Sequence, residues 1–191
     1  MRLPPKSIAL TAAFILPLAA CEKGPTVVAQ NATQAEVQEK LAAAGGTEVM
    51  VQPGRWEGAM TIEEMEIPGM PAEAKAQMKQ QATAGGPKTF ISCVTEEDVK
   101  TQKAFFTAED KNCKYDRFVM AGGKVAAVMN CDQGGGSKMH MEMNGTYSAD
   151  EYQMRMSNKV EGGNAPMGAM SMKMTVAAKR TGQCKGTPDE L

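Results

Sequence analysis

The chain holds a single histidine, His140, in 191 residues. That excludes a metal centre built on several imidazoles and leaves a Ser-His-Asp or Cys-His catalytic site hard to assemble. Aromatic residues are scarce, with one Trp, three Tyr and five Phe, so a core must be filled by other side chains. Neither sign of charge dominates. The first 20 residues take two of the 21 Lys and Arg and none of the 22 Asp and Glu, which leaves the remainder near a net charge of −3. That is no footprint for nucleic acid. Beyond residue 20, no apolar run is long enough to cross a bilayer as a helix. A phosphate loop is missing too: Gln133-Gly134-Gly135-Gly136-Ser137-Lys138 is glycine-rich, but it lacks the spacing and reads as a hairpin turn.

What is present begins with an export signal. Arg2 and Lys6 precede an uncharged apolar stretch from Ile8 to Ala20, too short to span a membrane. It ends in Leu18-Ala19-Ala20-Cys21, which matches a bacterial lipobox. Cys21 is therefore expected to carry lipid (palmitate among the acyl chains) and to anchor the protein to a membrane facing the periplasm. Several chains on one residue hold stably, where one chain alone holds marginally. Glu22 follows the cysteine, where Asp would mark inner-membrane retention, so the outer membrane is favoured. The expected layout is a signal peptide at 1–20, a lipidated cysteine and tether with a short helix at 21–52, one β-rich domain at 53–185, and a tail at 186–191.

Residues 22–32 read as a flexible tether. Thr33 and Glu36 form a capping-box signature for a short helix to Ala44, taken as a spacer. Trp56, Gly58, Met60 and Ile62 alternate with charged or small residues, which predicts a strand broken at Pro68-Gly69. A polar helix follows over 71–82, then a short strand from Thr89 to Val94. Thr95 and Asp98 cap another helix, expected to run to about Phe105. From Cys113 onward, strand-like runs at 114–120, 124–131, 138–147, 152–160 and 168–180 are separated by short Gly-rich links, the mark of hairpins. The predicted fold is mainly β: an antiparallel meander forming a curved sheet or a small partly closed barrel, with two or three short helices in the N-terminal half.

Seventeen methionines stand out. Met139, Met141 and Met143 alternate with Lys138, His140 and Glu142; Met154 and Met156, then Met172 and Met174, repeat the pattern. Methionine thus takes the apolar face of each strand. The plainest account is a sheet core filled with methionine. The same face, if left open, is an adaptable surface for an apolar ligand or an envelope protein. A third account is soft-metal binding, since thioethers select Cu(I) or Ag(I). Alternation places His140 opposite its methionine neighbours, so one strand alone does not gather all three.

Four cysteines remain after Cys21, and an even count in an exported chain implies two disulfides. In a meander Cys113 and Cys131 sit at one end of the sheet and Cys184 at the other. That favours Cys113–Cys131 with Cys93–Cys184; Cys93–Cys113 with Cys131–Cys184 stays open. The carboxylates Glu63, Glu64 and Glu66 read as a charged strand face, and Glu96, Glu97 and Asp98 as the acidic start of a helix. The first could pair as acid and base in glycoside chemistry, which would make an enzyme the third reading, but a non-catalytic protein is expected and no cofactor is implied.

Several segments together resemble a proteobacterial family, domain of unknown function 3617. They are Pro53-Gly54-Arg55-Trp56-Glu57, Ile67-Pro68-Gly69-Met70-Pro71, Cys93-Val94-Thr95-Glu96-Glu97-Asp98, Cys113-Lys114-Tyr115, and Met172-Lys173-Met174 through Gln183-Cys184. The resemblance spans roughly residues 53–184 and implies a small exported protein, often a lipoprotein. It implies no activity, substrate or cofactor, and no functional residue.

Overall fold

The structure is a computed structural model and describes residues 25–45, 50–84, 86–101, 111–163 and 169–185. Cys21 and the C-terminal tail lie outside the described residues. The elements in chain order are β1 (Val27–Thr33), α1 (Gln34–Ala43), β2 (Gly54–Glu66), α2 (Ala72–Thr83), β3 (Lys88–Val94), α3 (Glu96–Lys100), β4 (Cys113–Ala121), β5 (Lys124–Gly134), β6 (Ser137–Tyr147), β7 (Glu151–Gly162) and β8 (Met170–Gly182). The strands form one antiparallel sheet in the order β1-β4-β5-β6-β7-β8-β2-β3. Strands β4 to β8 are the meander that the Gly-rich links predict. Gly122 and Gly123, both at positive φ, make the two-residue turn between β4 and β5, a geometry that costs residues with a Cβ dearly. Strand β2 pairs with its sequence neighbour β3 on one side and, along its length, with the distant strand β8 on the other. β1 and β3 remain as free edges, so the sheet is curved and open rather than closed into a barrel.

The curvature has local causes. Register shifts interrupt β2 against β8, β4 against β5, and β5 against β6, and such bulges bend and twist a strand. Glycine serves the same end on the inner face. The ring of Phe90 and the Cβ of Ala178 occupy the place a side chain at Gly58 would need, and the backbone of Gln153 with the thioether of Met154 does so at Gly145. Neighbouring strands therefore close in at both points, as glycine within a strand permits.

Bending brings distant strands into one core. Val27 and Ala29 of β1, Val37 and Leu41 of α1, Trp56 of β2, Phe118 and Met120 of β4, Met154 of β7 and Ala178 of β8 form a single buried cluster. This corrects the reading of residues 22–44. The tether gives way at Val27 to an edge strand paired with β4. The capped helix exists, with Thr33 N–H donating to Glu36 at 2.7 Å and Glu36 N–H to the Thr33 hydroxyl at 3.2 Å. It is no spacer, because Val37 and Leu41 are wholly buried. Two apolar residues four apart suffice to dock a short helix when the face they meet is concave.

The other sequence expectations differ mainly at their ends. Strand β2 extends to Glu66, and α2 and β3 fall where expected. The Thr95–Asp98 box is made, with Asp98 N–H donating to the Thr95 hydroxyl at 3.1 Å, but α3 ends at Lys100; the expected continuation to Phe105 lies outside the described residues. Two disulfides staple opposite ends of the sheet. Cys113 and Cys131 face each other across β4 and β5. Cys93 at the end of β3 joins Cys184 just past β8, across the intervening strand β2.

Candidate functional site

The inner face of the sheet is built in rows that cross the strands. One row runs Ala127, Met143, Met156, Met174 and Ile62 across β5, β6, β7, β8 and β2; the next runs Met129, Met141, Asn158, Met172 and Met65. Directly opposed residues on antiparallel strands hold their Cβ atoms about 5 Å apart. Register thus assembles what no single strand does: Met143, Met156 and Met174 stand side by side on three strands. Met139 lies one row further out, opposite Cys131 and Val160. Met154 is buried in the core, whereas Met139, Met141, Met143, Met156, Met172 and Met174 are half-buried.

The face is not filled. A cavity of about 390 Å³ opens between sheet and helix, within the usual range of about 300 to 1,000 Å³ for small-molecule sites. Its floor is aromatic, with Trp56 and Tyr152 in contact at 5.6 Å between ring centroids and Tyr115 edge-on to Phe118 at the same spacing. Leu41 of α1, Met50 and Val51 close one side, and Met141, Met143, Met154 and Met156 form the sheet wall. Among the described residues no charged side chain lines it. Burial alone raises the Tyr115 and Tyr152 hydroxyls above the ordinary range, which fits a poorly hydrated pocket.

A polar group interrupts the inner face next to this cavity. Asn158 sits on the inner face of β7, directly between Met141 and Met172. Its Oδ1 is buried without a hydrogen-bond partner among the described residues. Such an orphan costs about 1 to 3 kcal/mol.

The outer face carries the charges, many of them in ion pairs between strands. Thr175 donates to Glu63 at 2.6 Å, which holds that carboxyl below its usual range, with Arg155 adding to the effect from 3.5 Å. Glu64 pairs with Lys173 at 2.7 Å. Glu63 and Glu64 are thus ion-pair partners of β7 and β8, and Glu66 adds its negative charge to the surroundings of Lys173. His140 lies on this face too, its Nδ1 2.7 Å from Asn130 Oδ1 and its Nε2 3.2 Å from Glu142. Among the described residues, no cluster of His, Cys, Asp and Glu is placed to hold a metal ion.

The methionines were legible from alternation, whereas the aromatic floor and Asn158 were not singled out. Asn158 did leave a signal, since it breaks the apolar phase Met154, Met156, Val160 of β7.

Fold and site together define an open antiparallel half-barrel with an apolar cavity on its concave face. The chain belongs to the family described as protein of unknown function (DUF3617), which it matches over residues 51–184. No curated protein and no solved structure matches it.

Proposed function

We propose that this protein is an envelope lipoprotein that binds an apolar ligand in its methionine-lined cavity and performs no catalysis. The cavity itself carries the reading. A methionine face serving only as core would be packed to interior density, yet about 390 Å³ remains beside Trp56 and Tyr152. Thioether side chains on flexible stems adapt to varied apolar shapes. The sole tryptophan forms part of the wall, so its emission reports directly on occupancy. A brominated alkyl chain should quench Trp56 saturably, and apolar molecules should co-purify in native mass spectrometry. Quenching that merely rises linearly, with nothing co-purifying, would sink the reading.

Lipid on Cys21 ties the site to a membrane surface, with Glu22 favouring the outer membrane. The expected result for Cys21→Ala is release into the soluble periplasmic fraction; a variant that still sediments with membranes would end the anchor assignment.

A second reading has one specific observation in its favour, the row Met143, Met156 and Met174 on adjacent strands. Three neutral thioethers side by side suit Cu(I) or Ag(I). Both disulfides leave no thiolate among the four cysteines concerned, so Ag(I) held no more tightly than by free methionine would dispose of it.

A further inference from the structure

We infer that the cavity takes a neutral single-chain amphiphile whose hydrogen-bond donor is received by Asn158, an inference that rests on the apolar-ligand reading above. Strand β7 presents Tyr152, Met154, Met156, Asn158 and Val160 to the inner face in unbroken alternation. Tyr152, Met154 and Met156 line the cavity, and Asn158 is the next residue on that face. Its neighbours across the sheet are Met141 and Met172, neither of which donates a hydrogen bond. Nothing in the described fold uses the buried Oδ1. A polar side chain there weakens a core and serves no strand pairing; its Oδ1 has almost no accessible surface, so a ligand hydroxyl or amide would satisfy it once a neighbouring flexible methionine side chain moves aside.

Size and charge narrow the ligand. A volume of about 390 Å³ holds on the order of a dozen methylenes, each taking roughly the 30 Å³ of a water. The part of β7 that lines the cavity, Tyr152 to Met156, runs about 13 Å, room for an extended alkyl chain whose head group reaches the next inward position, Asn158. Among the described residues the wall carries no charge, so an ionised head group at this depth would find no partner there and would be held at high cost. The donor is therefore neutral, and the tail points toward Trp56.

The test uses the full chain carrying Cys21→Ala, prepared without detergent, with Trp56 emission as readout. Two ligands are compared: 1-decanol, which donates a hydrogen bond, and decyl methyl ether, which only accepts. Asn158→Leu should weaken decanol about tenfold, the yield of one hydrogen bond, and leave the ether unchanged or tighter. Asn158→Ala removes the amide without adding volume and should show the same selective loss, with circular dichroism confirming the fold of each variant. Equal weakening of both ligands, or decanol binding indifferent to both substitutions, overturns the role of Asn158 while the cavity reading stands. If neither ligand binds the chain with Asn158 in place, both fall.

Discussion

Replacing Cys93 and Cys184 together by alanine should lower the unfolding free energy by about 4 to 5 kcal/mol, the largest loss available from a single cross-link here. The bridge spans 91 residues, and the loop-closure entropy it removes from the unfolded chain grows with the logarithm of that span. It also holds the sheet's last edge. Among the described residues β3 pairs only with β2, and the bridge ties its end to the chain leaving β8. The Cys113–Cys131 bridge closes only 18 residues between two strands already paired; its removal should cost about 3 kcal/mol. Urea unfolding of both double variants, followed by Trp56 emission, measures the difference. A smaller loss for the long loop than for the short one would refute the ranking.

Trp56→Ala should cost about 3 to 5 kcal/mol, a large share of a typical domain's stability of about 5 to 15 kcal/mol. Trp56 is 1 % exposed, its Nε1 donates to the Gln52 carbonyl at 3.0 Å, and its ring meets Tyr152. The hydrogen bond matters beyond its own strength, because it fixes the segment ahead of β2 over the cavity. With the cavity already beside it, the emptied volume has few neighbours able to collapse inward, and the cost should fall toward the upper end. Trp56→Phe keeps a ring and loses the donor, so it should cost distinctly less. Denaturation followed by circular dichroism compares the two. Equal stability of the alanine and phenylalanine variants would show that the floor does not depend on this ring.

Much of the fold was readable because its signals are short-range. Period-two alternation in β6, β7 and β8 sets which side chains share a face, and glycine pairs set where the chain reverses. Both capping boxes were visible as two residues three apart. β1 escaped notice for an equally local reason. Asn31 takes a φ of 50°, and the buried positions slip from Val27 and Ala29 to Ala32, so the alternation that announces a strand breaks midway. β4 slips at the same place, with Tyr115 and Phe118 both buried, and the two strands match only when paired.

The candidate site divides along the same line. The sequence determined that methionines line one face and charges the other, since a strand's two faces follow from its own residues. It could not place Met143, Met156 and Met174 in one row, nor set Asn158 between Met141 and Met172, because register belongs to pairs of strands. Above all, it left undecided whether the methionine face would be filled. That depended on how far the sheet curls, through its bulges, Gly58 and Gly145, and on α1 docking across the concave side. These are long-range outcomes, in which burial gained by distant residues must offset the entropy of bringing them together. Tertiary structure alone decided that the face closes around aromatic rings and still leaves a cavity.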